Sequence, residues 1–238
     1  MSVYALSDLH GCLDIYKSVK ALLNPEDKVY FLGDAGDRGP QSWETIKAIA
    51  RDPQFIYIKG NHEDMLVAAA EDYFKNDEYI GSNYRCLASN GGGPTFDGLM
   101  NDEMPREWVK HLKGLPTFEI YENTTGEAVA LSHAGFTPWL SSDGVDIVIP
   151  GDQDLIWNRD HFLDTPKIDE IDPEVIIVHG HTPIPFLLDD LNIPEDGYNE
   201  GAFWYDNHRK VCIDCGAVWT GEAVLLNLDT WEETIIHG

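Results

Sequence analysis

"FLGDAGDRGP", residues 31–40, runs from two apolar residues directly into two aspartates, an arginine and three glycines. A solvated turn would explain the charge. It would not explain why so many small residues stand beside so many charged ones. Glycine at this density lets a backbone come close to something other than itself. The stretch therefore predicts a buried strand ending in a site where a ligand approaches the main chain.

Four other short apolar runs end the same way. "VYALS" (3–7) leads into "DLHG", "FIYIK" (55–59) into "GNHED", "AVALS" (128–132) into "HAG", and "VIIVHG" (175–180) into "HTP". Runs of this length, rich in Val, Ile, Tyr and Phe and bounded by Gly or Pro, fit buried strands. Helical spacing separates the first three: Leu13, Tyr16, Val19 and Leu23; then Trp43, Ile46, Ile49 and Ala50, with Ser42 as the expected N-cap. Met65, Leu66, Ala69 and Tyr73 then form one face of a third helix. Alternating strands and helices predict an α/β fold built on a mostly parallel sheet. Ligands of such sheets bind beyond the carboxyl ends of the strands, where every polar cluster here falls.

The remainder is less regular. Residues 76–127 carry one expected helix, around "EMPREWVKHLKGLP", and a loop at "NGGGP" (90–94). Residues 141–174 and 185–210 read as acidic excursions from the core. "VCIDCGAVWTGEAVLLNLD" reads as two strands joined by a glycine-containing turn. No composition shift marks a linker, so residues 1–238 are expected to form a single domain.

With 43% hydrophobic residues and seven tryptophans among 238 residues, the chain has the composition of a globular protein. Sixteen basic against forty-two acidic residues give a formal charge of −26, which repels nucleic acid. The same field repels small phosphates, so a phosphate substrate would need a local cluster of positive charge. No apolar run is long enough to span a bilayer and "MSVYALSDLHG" has no signal-peptide pattern, so no membrane association and a cytoplasmic location are expected. The four cysteines (12, 86, 212, 215) are expected to be reduced: "CIDC" has no second pair to complete a zinc site.

Asp8 and His10 flank one residue at the end of the first run. If the chain stays extended there, alternation puts both on one side, able to reach one ion. Asp34 has two oxygens and can bridge two cations, and Asn61 offers a neutral oxygen. Each histidine alone reads as an ordinary core or surface residue. Five of the nine, however, lie at these strand ends, and turn chemistry does not favour histidine.

"DLHG", "GDAGDRG", "GNHE", "HAG" and "GHT", in this order and spacing, resemble the phosphoprotein-phosphatase family of calcineurin-like dinuclear metallophosphoesterases. The small bacterial and bacteriophage-lambda-type serine/threonine protein phosphatases look most similar. The resemblance runs from residue 3 to about 182, with "IDCGAVWTG" a weaker echo. It implies a central β-sandwich of mixed sheets flanked by helices. It also implies that Asp8, His10 and Asp34 hold one metal, and that Asp34 bridges to a second held by Asn61, His133 and His181. His62 would be the general acid oriented by Asp37, while Arg38, Arg159 of "IWNRD" and Asn61 would bind the phosphate. His179 has no ligand role in that pattern. Two divalent ions are implied, Mn²⁺ first, with Fe, Zn²⁺ or Mg²⁺ as alternatives; nitrogen and oxygen donors without thiolate fit these metals.

The family also contains bis(nucleosyl)-tetraphosphate hydrolases. In their bacterial members the position matching Asp37 is usually small or an amide, and the third motif ends in Asp. Asp37 and Glu63 therefore favour a phosphatase acting on phosphorylated protein or a small phosphate ester, with dinucleoside tetraphosphate hydrolysis as the alternative. A non-catalytic metal-binding regulator on the same fold is a third reading, disfavoured because His62, Asp37, Arg38 and Arg159 are all present.

Overall fold

The computed structural model describes residues 1–76, 81–137, 139–140, 147–159, 175–190 and 201–238. Strands β1 (Val3–Leu6), β2 (Lys28–Phe31) and β3 (Phe55–Tyr57) pair in parallel, with helices α1 (Leu13–Leu22) and α2 (Ser42–Arg51) as the crossovers between them. Helix α3 (Asn61–Lys75) follows. Beyond β1 lies β11 (Glu222–Asn227), antiparallel to it, and then β12 (Glu233–His237). A second five-stranded sheet has the order β4 (Phe118–Glu122), β5 (Ala128–Ser132), β8 (Val175–His179), β10 (Lys210–Cys212), β9 (Phe203–Tyr205). Strands β6 (Trp139–Leu140) and β7 (Ile147–Val148) form a small separate ribbon.

Period-two side-chain alternation stacks these layers. Val3 and Ala5 of β1, Val224 and Leu226 of β11, Val129 and Leu131 of β5, and Ile176 and Val178 of β8 pack together between the sheets. The alternate residues Leu6 and Leu225 turn instead to α1, α2 and α3, where Ile15, Val19, Ile46, Ile49 and Leu66 cover them. On the far side, Ala130 and Ile177 meet Phe136 and Leu155, the latter from α7 (Asp152–Trp157). The result is a sandwich of two mixed sheets with helices outside. Among the described residues no helix is long and apolar enough to cross a membrane.

The structure corrects several expectations. The sheets are mixed, as the family resemblance implies and unlike the mostly parallel sheet suggested by strand–helix alternation alone, because β4, β9, β11 and β12 run antiparallel to their neighbours. Residues 76–127 are more regular than their composition suggests: α4 (Ser82–Ser89), α5 (Gly93–Met100) and α6 (Pro105–Lys113) form a helical layer over α2 and α3. Glycine and asparagine punctuation concealed α4 and α5, and Pro94 starts α5 rather than ending a loop. Ser42 is the first helical residue of α2, not its cap; its hydroxyl donates back to the Gly39 carbonyl at 2.9 Å. The two strands of "VCIDCGAVWTGEAVLLNLD" do not form a hairpin. β10 lies in the second sheet and β11 in the first, with a one-turn helix, α9 (Ala217–Thr220), between them. The acidic segments are not simple excursions either, since α7, α8 (Ile184–Asp190) and β9 belong to the body of the fold. Residues 141–146, 160–174 and 191–200 of those segments lie outside the described residues.

Candidate metal centre

Five strand ends meet at one point. β1 delivers Asp8 and His10, β2 delivers Asp34, and β3 runs into Asn61 and His62 at the start of α3. From the second sheet, β5 delivers His133 and β8 delivers His181. All seven side chains belong to residues no more than 5% exposed. Asp34 lies at the middle. Its Oδ2 is 3.6 Å from His10 Nε2 and 3.8 Å from His62 Nε2, and its Oδ1 is 3.5 Å from His133 Nε2. Two groups of donors able to hold an ion share it: His10, Asp34 and His62; and Asp8, Asp34 and His133. On the second side, His133 Nε2, Asn61 Oδ1 and His181 Nδ1 stand 2.9, 3.1 and 3.1 Å from one another. Donor atoms about 2.0–2.2 Å from one ion have separations of this order.

Extended alternation is not what aligns Asp8 with His10. β1 ends at Leu6, and both residues sit in the left-handed region, at φ 52° and 43°. Asp34, Asp37, Arg38 and His181 are left-handed too, at φ 59°, 68°, 65° and 70°. Non-glycine residues adopt this backbone at a cost, and only a surrounding structure that over-determines them keeps them there. Glu63 supplies much of that determination. Its carboxylate accepts the amides of Asp34 (2.8 Å), Ala35 (3.0 Å) and Gly60 (2.8 Å) and the hydroxyl of Tyr57 (2.8 Å). This role was missed in the sequence, where Glu63 served only to separate subfamilies; its place three residues after the helix-capping Gly60 was the available signal. Gly60 itself admits no side chain, since a Cβ there would lie 2.2 Å from Asp34 Oδ1.

The histidines are set as neutral donors. His10 and His133 each donate Nδ1–H to a carbonyl, Gly36 at 2.8 Å and Leu32 at 2.7 Å, which leaves the Nε2 lone pair facing the centre. Burial pushes the His133 pKa down to about 3. His10 is lowered by burial and by neighbouring His62, and His181 by burial and by His133. The carboxylates move the other way. Asp34 is raised by burial and by Glu63, and Asp8 by burial and by Asp214. Asp214, also buried, is pushed up to about 7. Asp8 Oδ1 is buried without a hydrogen-bond partner among the described residues. Buried acids whose pKa is raised, beside neutral imidazoles whose lone pairs face them, form a donor set that fits divalent cations.

His62 is placed differently from the other donors. Its Nδ1 is 2.6 Å from Asp37 Oδ2, and its Nε2 accepts from Arg38 Nη2 at 2.8 Å. Arg38 also reaches His10 Nε2 through Nη1. Its main chain is anchored on the glycine loop, with the Arg38 amide donating to the Gly91 carbonyl at 3.1 Å. Arg159 is exposed and donates from Nη1 to Thr182 Oγ1 at 2.9 Å, one residue from His181. His179 lies apart from the centre, its ring 2.8 Å from the Tyr205 hydroxyl. All four cysteines are free.

The chain is similar to known proteins. Over 96% of this chain and 92% of the relative, it is 26% identical to a "Bis(5'-nucleosyl)-tetraphosphatase, symmetrical" of Chromobacterium violaceum. It is 29% identical to "Serine/threonine-protein phosphatase 2" of Salmonella typhimurium over 68% of this chain and 69% of that one. Against several further tetraphosphatases the chain spans about half of the relative's length, 43–48%. A solved structure provisionally named a diadenosine tetraphosphatase superposes with a TM-score of 0.63 at 16% identity, over 99% of this chain and 93% of that one. The model of the calcineurin-like phosphoesterase family matches residues 1–219. With its two mixed sheets, its flanking helices and its strand-end donors, the chain belongs to the calcineurin-like phosphoesterase family.

Proposed function

We propose that the protein is a dinuclear metal-dependent phosphomonoesterase acting on phosphorylated protein. Asp8, His10 and Asp34 would hold one cation, and Asp34, Asn61, His133 and His181 the other. Divalent ions bound there, Mn²⁺ first, would supply charge against the phosphoryl oxygens and acidify an attacking water. The chain's own groups do the rest. Arg38 and Arg159 bind the phosphate oxygens with planar forks. His62 gives a proton from Nε2 to the leaving oxygen once the phosphate draws Arg38 off that nitrogen, and Asp37 on Nδ1 fixes the ring. The attacking water gives up a proton to solvent as the new P–O bond forms and the ester P–O bond breaks, the leaving oxygen taking the His62 proton, and the two arginines offset the acidity of the rest of the surface.

The observation that carries this reading is the 2.6 Å contact between His62 and Asp37, beside a carboxylate shared by two donor groups. A metal-storage or regulatory protein would need the shared donors but not the His62–Asp37 pair. The free thiols agree with a cytoplasmic setting. Symmetrical dinucleoside tetraphosphate hydrolysis is the second reading, favoured by the names of most relatives. The test measures kcat/KM of the Mn²⁺-loaded protein on a phosphopeptide, diadenosine tetraphosphate and an aryl phosphate. Preference for the phosphopeptide or aryl ester is expected. A clear preference for the dinucleotide selects the second reading, and turnover that persists in excess chelator removes both.

A further inference from the structure

Three aromatic side chains are exposed among the described residues: Trp157 (40%), Phe186 (55%) and Trp219 (58%). All three stand at the rim of the metal centre. The Trp157 ring is 6.3 Å from that of His181. Trp219 lies 5.4 Å from the Arg38 guanidinium carbon, and Phe186 meets Trp219 edge-on at 5.8 Å. Every other Phe, Tyr and Trp whose burial is described is at least partly covered. Exposed aromatic rings gathered at one rim mark a place where something binds.

Trp219 is presented on a short turn. It lies in α9, between Gly216 and Gly221, both left-handed at φ 71° and 73°. Its own amide donates to the Gly216 carbonyl at 2.8 Å. A cavity of about 420 Å³ runs beside it, lined in part by Gly11, Cys12, Pro40 and Gln41, and so begins one residue from His10. Its position relative to the proposed chemistry is specific. Arg38 touches His62 Nε2, the atom assigned to protonate the leaving oxygen, and Trp219 lies over Arg38. Arg38 also reaches His10, so the indole borders the phosphate-binding arginine on the rim shared by His62 and His10.

We infer that Trp219, with Phe186 beside it, seats a planar ring carried directly on the leaving oxygen, and so makes the site selective for aryl phosphate esters, phosphotyrosine included, over alkyl ones. This rests on the reading of His62 as the leaving-group acid. An indole face offers a flat apolar surface with an aromatic preference that a serine or threonine ester cannot use. A nucleobase separated from the cleaved bond by further phosphates would reach past this seat.

The test compares wild type, Trp219→Ala and Trp219→Phe on phosphotyrosine and phosphoserine peptides of one flanking sequence, and on diadenosine tetraphosphate. Trp219→Ala is expected to lose about tenfold in kcat/KM on phosphotyrosine, chiefly through KM, and less than about twofold on phosphoserine. Trp219→Phe should restore most of the loss. Equal losses on both peptides would mean that Trp219 acts only by holding Arg38, which overturns the proposal. A loss confined to the dinucleotide, or no loss at all, overturns it too. Calorimetry of the Mn²⁺-loaded protein with phenylphosphonate and methylphosphonate supplies a readout without turnover. Wild type should prefer the phenyl compound and Trp219→Ala should not. If no substrate is hydrolysed, the reading of His62 fails, and the phosphonate comparison still decides the role of Trp219.

Discussion

The centre and its rim are built on opposite terms. Asp8, Asp34, Asn61, His62, His133 and His181 are at most 5% exposed and lie on turns or at the start of α3, pinned by hydrogen bonds. Arg38, Arg159, Trp157 and Trp219 are exposed. Burial strengthens electrostatics and fixes geometry, which cation binding and proton transfer demand. A rim in water can vary in residue type without unfolding anything, and substrate selectivity can reside there. The difference teaches where substitutions should be all-or-none and where they should be graded.

Asp34→Ala should have the largest effect, with no detectable turnover and metal content well below that of wild type by atomic absorption, because both donor groups lose their common member. Full metal content in that variant would break the idea of a shared carboxylate. His62→Asn should lower kcat by about 10²–10⁴ while metal content stays unchanged, since it removes proton donation alone. Metal loss there would instead make His62 a ligand, as one of the two donor groups allows. Glu63→Ala leaves three buried amides and the Tyr57 hydroxyl unpaired, at about 1–3 kcal/mol each. The expected result is a large fall in Tm by calorimetry; an unchanged Tm would mean the turns are held by other means.

Metal affinity should also depend on pH, with a sign set by the carboxylates. Asp34 and Asp8 are raised, so as pH falls their protonated forms compete with the cation. Titrations at pH 6 and pH 8 should give the tighter Kd at pH 8, by up to about tenfold per pH unit for each proton displaced. Equal affinities would show that burial does not burden these groups. The smallest effect belongs to the rim. Arg159→Lys should raise KM by less than about tenfold, because the charge remains and only the planar fork is lost. A collapse of kcat in that variant would place Arg159 with the centre rather than the rim.

Legibility in the sequence followed the same division. The strand-end clusters announced the centre because histidine has no reason to gather in turns, and five spaced motifs placed its members. The backbone that aims them was not legible. Nothing in "SDLHG" says that positions 8 and 10 are left-handed, because that conformation is imposed by the Asp34 and Ala35 carbonyls accepting the His10 and Gly11 amides. Helices α4 and α5 were hidden by glycine and asparagine, whose propensities yield there to packing of Leu87, Phe96 and Leu99 against the core. Trp219 could not be read as part of the rim, since its distance from Arg38 depends on the path of the chain between the two sheets.

One pairing constrains the order of events during synthesis. β1, which carries Asp8 and His10, sits between β2 and β11, with Tyr4 opposite Asn227 and Ala5 opposite Leu226. A ribosome that has released only the first two hundred residues therefore leaves that strand with one bare edge. Pairings so distant in sequence close slowly. The nascent chain would carry all its cation donors long before it could collect a cation, and competence would arrive in a single late step.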